Sequence, residues 1–133
     1  AYEQWIPAKP GAYELLRHLS SYGAPIVLLT SSDASYLRPA LSRTGLLPFF
    51  NELYTSASLG LTKTTPEIYL KLARQYHAAP EKTMVFEDAD FAVAQAAKAG
   101  MKVVAVREEA FLYAEEIIKK TAWRYVNRLT DLL

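Results

Sequence analysis

Residues 83–106 read TMVFEDADFAVAQAAKAGMKVVAV. The apolar run Thr83 to Glu87 (TMVFE) gives way to a helix-favouring stretch over 90–99, then to Gly100, then to a second β-favouring run, Lys102 to Val106 (KVVAV). Glycine just past a helix is a common stop, so the segment predicts strand, helix and strand in that order. Two strands joined through a helix of this length pair in parallel.

The same alternation continues outward. Residues 1–9 read as extended, with Pro7 and Pro10 blocking helix. Pro10-Gly11 opens a helix to about Tyr22, with Tyr13, Leu16 and Leu19 recurring every three residues and Leu15 widening the stripe, and Gly23 stops it. Pro25 to Thr30 (PIVLLT) is a continuous apolar run suited to a strand covered on both faces. Residues 34–44 predict a helix ending at Gly45, with Pro39 tolerable only if the helix begins late enough to hold it in the first turn. Glu52 to Thr55 is a short strand, followed by a loop containing Gly60. Thr65 as N-cap and Pro66 at the first helical position predict a helix to about His77. Beyond the central segment, 108–120 predicts one amphipathic helix with Phe111, Ala114, Ile117 and Ile118 on a core- or partner-facing side, and Trp123 to Val126 a last edge strand. This order predicts a doubly wound α/β fold with a parallel sheet, a single core domain over 1–133. Ligands of such sheets sit beyond the carboxyl ends of the strands.

Composition narrows the chemistry. The 133 residues are 51% hydrophobic and 22% charged, with a formal charge of +1, which is ordinary globular composition. No basic stripe or like-charge block points to nucleic acid. No apolar run approaches the roughly 18 residues of a membrane span. No basic-then-apolar leader opens the chain, and a cytoplasmic location is expected. With no cysteine, thiolate metal sites and cysteine nucleophiles are excluded. His18 and His77 lie on predicted helices without a partner at ligand spacing, and both read as surface residues. Trp5, Trp123 and the nine tyrosines read as packing and edge cover.

Three strand ends carry polar groups. Thr30, Ser31, Ser32 and Asp33 follow the first strand; hydroxyls and turn amides there can hold a phosphate, while Ser32 or Asp33 can equally cap the next helix. Lys63 precedes a helix N-terminus, where the macrodipole disfavours a cation unless an anion is held there; a solvated surface lysine is the plain alternative. Glu87 and Asp88, with Asp90 close by, follow an apolar strand. Such carboxylates suit a hard cation such as Mg²⁺, or an acidic helix start. Together, hydroxyl, lysine and carboxylate pair are the parts of a phosphoryl-transfer site.

In this order the motifs resemble the core domain of haloacid dehalogenase (HAD) superfamily hydrolases, in the subgroup of β-phosphoglucomutase, phosphoglycolate phosphatase and fructose-1-phosphatase-like enzymes. Ile6-Pro7 through Gly11 resembles the return from a helical cap to the Rossmann-like core. IVLLTSS resembles the second motif, which implies Thr30 and Ser31 as phosphate-binding groups. KTTPEIYLKLA resembles the third, with Lys63 as the phosphate-binding lysine, and VFEDADFAVAQAAKAGM the fourth, with Glu87 and Asp88 as the acidic metal pair. The resemblance implies a Mg²⁺-dependent phosphatase acting through an aspartyl-phosphate on a sugar phosphate or small organic phosphate. This chain departs from the pattern at Thr64, Ala89 and Ala92, where many relatives carry proline, serine and glycine.

The larger departure is the first motif. The family's nucleophile and acid/base aspartates form an Asp-x-Asp pair after the first strand, and the only Asp-x-Asp here is Asp88–Asp90 of the fourth motif. No catalytic aspartate is therefore expected in this chain, and the central first strand and helical cap are expected upstream. That strand would lie between those ending at Thr30 and Glu87. Without it, buried N–H and C=O groups at about 1–3 kcal/mol each go unpaired, against a domain stability of only about 5–15 kcal/mol. The sheet is thus expected to be completed by an upstream segment or a second chain. Two other readings stand beside the enzyme: a non-catalytic remnant that binds a phosphorylated ligand or a partner protein, and a phosphorelay receiver, whose acidic pair would however follow the first strand.

Overall fold

In the computed structural model, which describes residues 9–31 and 34–133, the chain divides into two units. The first comprises residues up to Gly60 with Leu129–Leu133, and the second Leu61–Arg128. Most of the segment expected to be extended over 1–9, with Ser32 and Asp33, lies outside the described residues.

The first unit carries α1 (Ala12–Ser20), β1 (Val27–Thr30), α2 (Ala34–Arg43), β2 (Glu52–Thr55) and the one-turn α3 (Ser56–Leu59). α1 buries Ala12, Leu15 and Leu16, but Tyr13 stays 46% exposed and stands edge-on to the Phe49 ring. Gly11, at φ +89°, precedes α1, and a Cβ there would come within 2.8 Å of Thr130 Cγ2. Glycine is required on both counts, left-handed backbone and close approach. β1 and β2 are parallel, Val27 opposite Glu52 through Thr30 opposite Thr55. Asn51 fixes that register from one end: its N–H donates to the Ile26 carbonyl (2.6 Å) and its Oδ1 accepts from the Ile26 N–H (2.8 Å).

Pro39 lies inside α2 and not in its first turn, contrary to the sequence expectation. An interior proline loses one backbone hydrogen bond and costs about 3 kcal/mol. Leu37 and Leu41, 2% and 0% exposed on the same helix, offset this, since fully burying a leucine is worth about 1.5–3 kcal/mol.

The second unit carries α4 (Glu67–Gln75), β3 (Met84–Glu87), α5 (Asp90–Lys98), β4 (Lys102–Val106), α6 (Glu115–Thr121) and β5 (Arg124–Val126). Its sheet runs β3-β4-β5, all parallel. The central β4 buries Val103, Val104, Ala105 and Val106 almost completely. α5 lies against it through Ala92, Val93 and Ala96, none of which is exposed at all. At the outer margin, Trp123 carries Arg124 4.2 Å and Lys102 5.2 Å from its ring centroid. Among the described residues, β1 pairs only with β2 and β3 only with β4.

Three further expectations need correction. Thr65 does not cap α4: Pro66 is the N-cap residue, and the Thr65 hydroxyl turns back to the Thr62 carbonyl at 3.4 Å. The loop before Gly60 contains α3, held by a reciprocal cap in which Thr55 Oγ1 accepts from the Ser58 N–H (3.0 Å) and the Thr55 N–H donates to Ser58 Oγ (3.1 Å). The helix expected over 108–120 is broken: Glu109–Ala114 is a 3₁₀ segment with Phe111 out of helical geometry, and only Glu115–Thr121 is α-helical. The Phe111 ring lies 6.5 Å from Phe91 and 6.3 Å from Tyr113, a tertiary contact no local pattern encodes. Ala114 and Ile118 are buried as expected, while Ile117 is 58% exposed.

Candidate functional site

In the first unit, β1 and β2 end side by side on Thr30 and Thr55 and continue into Ser31 and Ser56. Thr30 is only 4% exposed although it is polar. The Ser31 and Ser56 hydroxyls stand 3.4 Å apart. This strand end therefore presents hydroxyl donors.

In the second unit, β3 ends on Glu87 and is followed by Asp88, both buried. Two groups donate to Glu87. Lys63 Nζ reaches Oε2 at 2.9 Å, and the Asp88 N–H reaches Oε1 at 3.2 Å. The Lys63 and Glu87 side chains are 15% and 10% exposed. Desolvating two charges costs several kcal/mol, and only close pairing offsets it. The anion that Lys63 meets ahead of α4 is Glu87. An ammonium has three donors, so Lys63 keeps capacity for a ligand oxygen while paired.

Asp90 has a different task. Its Oδ1 accepts from the Phe91 N–H at 2.8 Å and its Oδ2 from the Tyr113 hydroxyl at 3.3 Å, so it organises the start of α5. His18 and His77 are both exposed. Among the described residues no group of three or more His, Asp or Glu gathers that could hold a metal ion. Mg²⁺ is usually held by one or two carboxylates, with waters and substrate phosphate completing the shell. The adjacent carboxylates of Glu87 and Asp88 fit that donor set.

Sequence reasoning missed Tyr69, on the first turn of α4. The residue is 4% exposed, and its hydroxyl has no hydrogen-bond partner among the described residues. Burial first, and then the charge of Glu87, push its phenol above the ordinary tyrosine value. In the sequence Tyr69 is one more apolar-stripe residue of KTTPEIYLKLA; only the burial of its hydroxyl in the fold sets it apart.

Residues 2–100 match the family of haloacid dehalogenase-like hydrolases. The chain belongs to this family. It is 31% identical over 128 residues to the bifunctional riboflavin kinase/FMN phosphatase of Arabidopsis thaliana, covering 96% of this chain and 33% of that protein. It is 34% identical over 105 residues to hexitol phosphatase A of Escherichia coli, covering 79% and 48%. Among solved structures, β-phosphoglucomutase from Clostridium difficile superposes with a TM-score of 0.74 at 25% identity, over 94% of this chain and 52% of that one. CbbY from Rhodobacter sphaeroides reaches a TM-score of 0.81 at 18% identity, over 93% and 55%. The chain thus spans between a third and about half of these proteins' length. Its HAD fold is an α/β fold with parallel sheets and helices, a partial core.

Proposed function

We propose that this HAD chain supplies the phosphate- and metal-holding part of a phosphomonoester hydrolase acting on a sugar phosphate or another small phosphorylated metabolite. The observation that carries the reading is the largely buried Lys63–Glu87 pair at the carboxyl end of β3, beside buried Asp88. Burying two charges is costly, and a phosphate-binding lysine held ready by a carboxylate gives that cost a purpose. Phosphatases among the relatives support the reaction class.

In this reading Thr30, Ser31 and Lys63 hold the non-reacting oxygens of the phosphoryl group through donors that strengthen as charge develops. Glu87 orients Lys63. Glu87 and Asp88 would hold Mg²⁺, which when bound offsets the negative charge of carboxylate and phosphate. The nucleophile is an aspartate outside this chain, which attacks phosphorus as the ester P–O bond breaks and the alcohol leaves with a proton from the acid/base aspartate, giving an aspartyl-phosphate that water then cleaves to inorganic phosphate and the free carboxylate. The segment carrying it, from the same protein or a second chain, also pairs with the sheet.

The test is phosphate release from a panel of sugar phosphates by the full-length protein. Lys63→Ala is expected to lower turnover at least about tenfold, the scale of a lost charge-assisted donor. Asp88→Asn is expected to raise the Mg²⁺ concentration needed for activity. Near-normal turnover in the first, or an unchanged Mg²⁺ titration in the second, refutes the assignment.

A further inference from the structure

Thr30 and Thr55 are register partners at the ends of β1 and β2, and the chain leaves each strand on a serine. The ladder therefore sets Ser31 beside Ser56, with their hydroxyl oxygens 3.4 Å apart. Asn51 anchors the same ladder at its other end, so the spacing is fixed by paired strands and not by a loose loop. The hydroxyls around this pair are committed to the cap of α3. Thr55 Oγ1 accepts from the Ser58 N–H (3.0 Å), and Ser58 Oγ accepts from the Thr55 N–H (3.1 Å) and donates to the Thr55 carbonyl (2.8 Å). Ser56 takes no part in that cap. Among the described residues its hydroxyl meets only Ser31.

A good O–H···O bond spans roughly 2.5–3.0 Å, so the two serines hold each other weakly. Each hydroxyl has one proton to donate, and at this spacing both protons can serve a third atom. An anionic oxygen about 2.7 Å from each serine oxygen closes a triangle on that base, at the length of a charge-assisted O–H···O⁻ bond. Ser31 is exposed and Ser56 half-buried, so a ligand reaches both. We propose that Ser56 is a further phosphate-binding residue, its hydroxyl and that of Ser31 clasping one non-reacting oxygen of the phosphoryl group together. This rests on the reading that Ser31 binds phosphate. It extends the phosphate seat across the ladder, from the end of β1 to the end of β2.

The experiment titrates full-length wild type, Ser56→Ala, Ser56→Thr, Ser31→Ala and Lys63→Met with inorganic phosphate by calorimetry, and records their thermal midpoints without phosphate. Losing one hydrogen bond to a charged group weakens binding about tenfold or more, and this is the loss expected of Ser56→Ala. Ser56→Thr keeps the hydroxyl and is expected to restore most of the affinity. The phosphate-free midpoint of Ser56→Ala is expected to match wild type, because the contact removed is a long one between partly hydrated hydroxyls; a merely structural role would lower it. Unchanged affinity in Ser56→Ala, equal losses in Ser56→Ala and Ser56→Thr, or a lowered phosphate-free midpoint in Ser56→Ala overturns the inference, while weakened binding in Lys63→Met or Ser31→Ala leaves the site reading standing. No phosphate binding by wild type, or unweakened binding in both Lys63→Met and Ser31→Ala, overturns the site reading and the inference with it.

Discussion

Lys63 and Glu87 lie 24 positions apart in sequence and meet at 2.9 Å between Nζ and Oε2, with both side chains largely out of water. The pair ties the turn ahead of α4 to the carboxyl end of β3. Removing one partner strands the other charge in a poorly solvated place. Lys63→Met and Glu87→Gln are each expected to cost about 3 kcal/mol, and the double variant clearly less than their sum. Urea unfolding of the four proteins measures this, and strict additivity would mean the two charges do not depend on each other.

His77 is the only non-glycine residue at positive φ among the described residues, at 52°. It closes α4: the His77 N–H donates to the Arg74 carbonyl (3.1 Å) and the Ala78 N–H to the Ala73 carbonyl (2.9 Å). That is the hydrogen-bonding of a helix stop that normally takes glycine. His77→Gly is expected to stabilise by about 0.5–1 kcal/mol, since a side chain in the left-handed region costs about 1–2 kcal/mol and glycine's flexibility returns part of it. A thermal midpoint that falls in this variant would contradict the account.

Tyr125 donates to Glu115 Oε2 at 3.1 Å. Burial first, and then this hydrogen bond and the charge of Glu115, push its phenol up to about 12 from the ordinary 10.0. A group whose value is raised on folding contributes stability that is full below its unfolded value and lost as pH climbs toward the folded one. Tyr125 therefore contributes a loss of stability between about pH 10 and about pH 12, and Tyr125→Phe is expected to flatten that limb. Midpoints recorded across the alkaline range test it; identical slopes in variant and wild type would remove Tyr125 from the explanation.

Asn51 holds Ile26 by both its backbone and its side chain ahead of the β1–β2 ladder. Asn51→Ala leaves the backbone bond and deletes the other. The expected cost is about 0.5–1.5 kcal/mol, with hydrogen exchange quickening at Leu53–Thr55 before it does in β4. Uniform protection across both sheets would show that Asn51 does not govern this register.

What the sequence revealed follows from how local each signal is. β2 at Glu52–Thr55 and β4 at Lys102–Val106 fall where apolar runs and flanking breakers put them, because strand formation there needs only those runs. The strand ends carrying Thr30 and Glu87 were legible for the same reason. Pro39 inside α2 was not, because Leu37 and Leu41 override a local prohibition through burial. The break at Phe111 depends on rings 20 positions upstream and two downstream. Tyr69 did not stand out, since whether a tyrosine hydroxyl is buried without a partner is not legible until the chain is folded.

The two margins of the second sheet differ in what they carry. Along β5 the strand is three residues long, and Arg124 and Lys102 crowd the Trp123 ring beside it; brevity and cations of this kind discourage a newcomer. Along β3 the backbone carries Met84, Val85 and Phe86 before its terminal acid. A strand added on that side of the sheet would lie directly beside Glu87, so any change at that margin would be felt first by the Lys63–Glu87 pair.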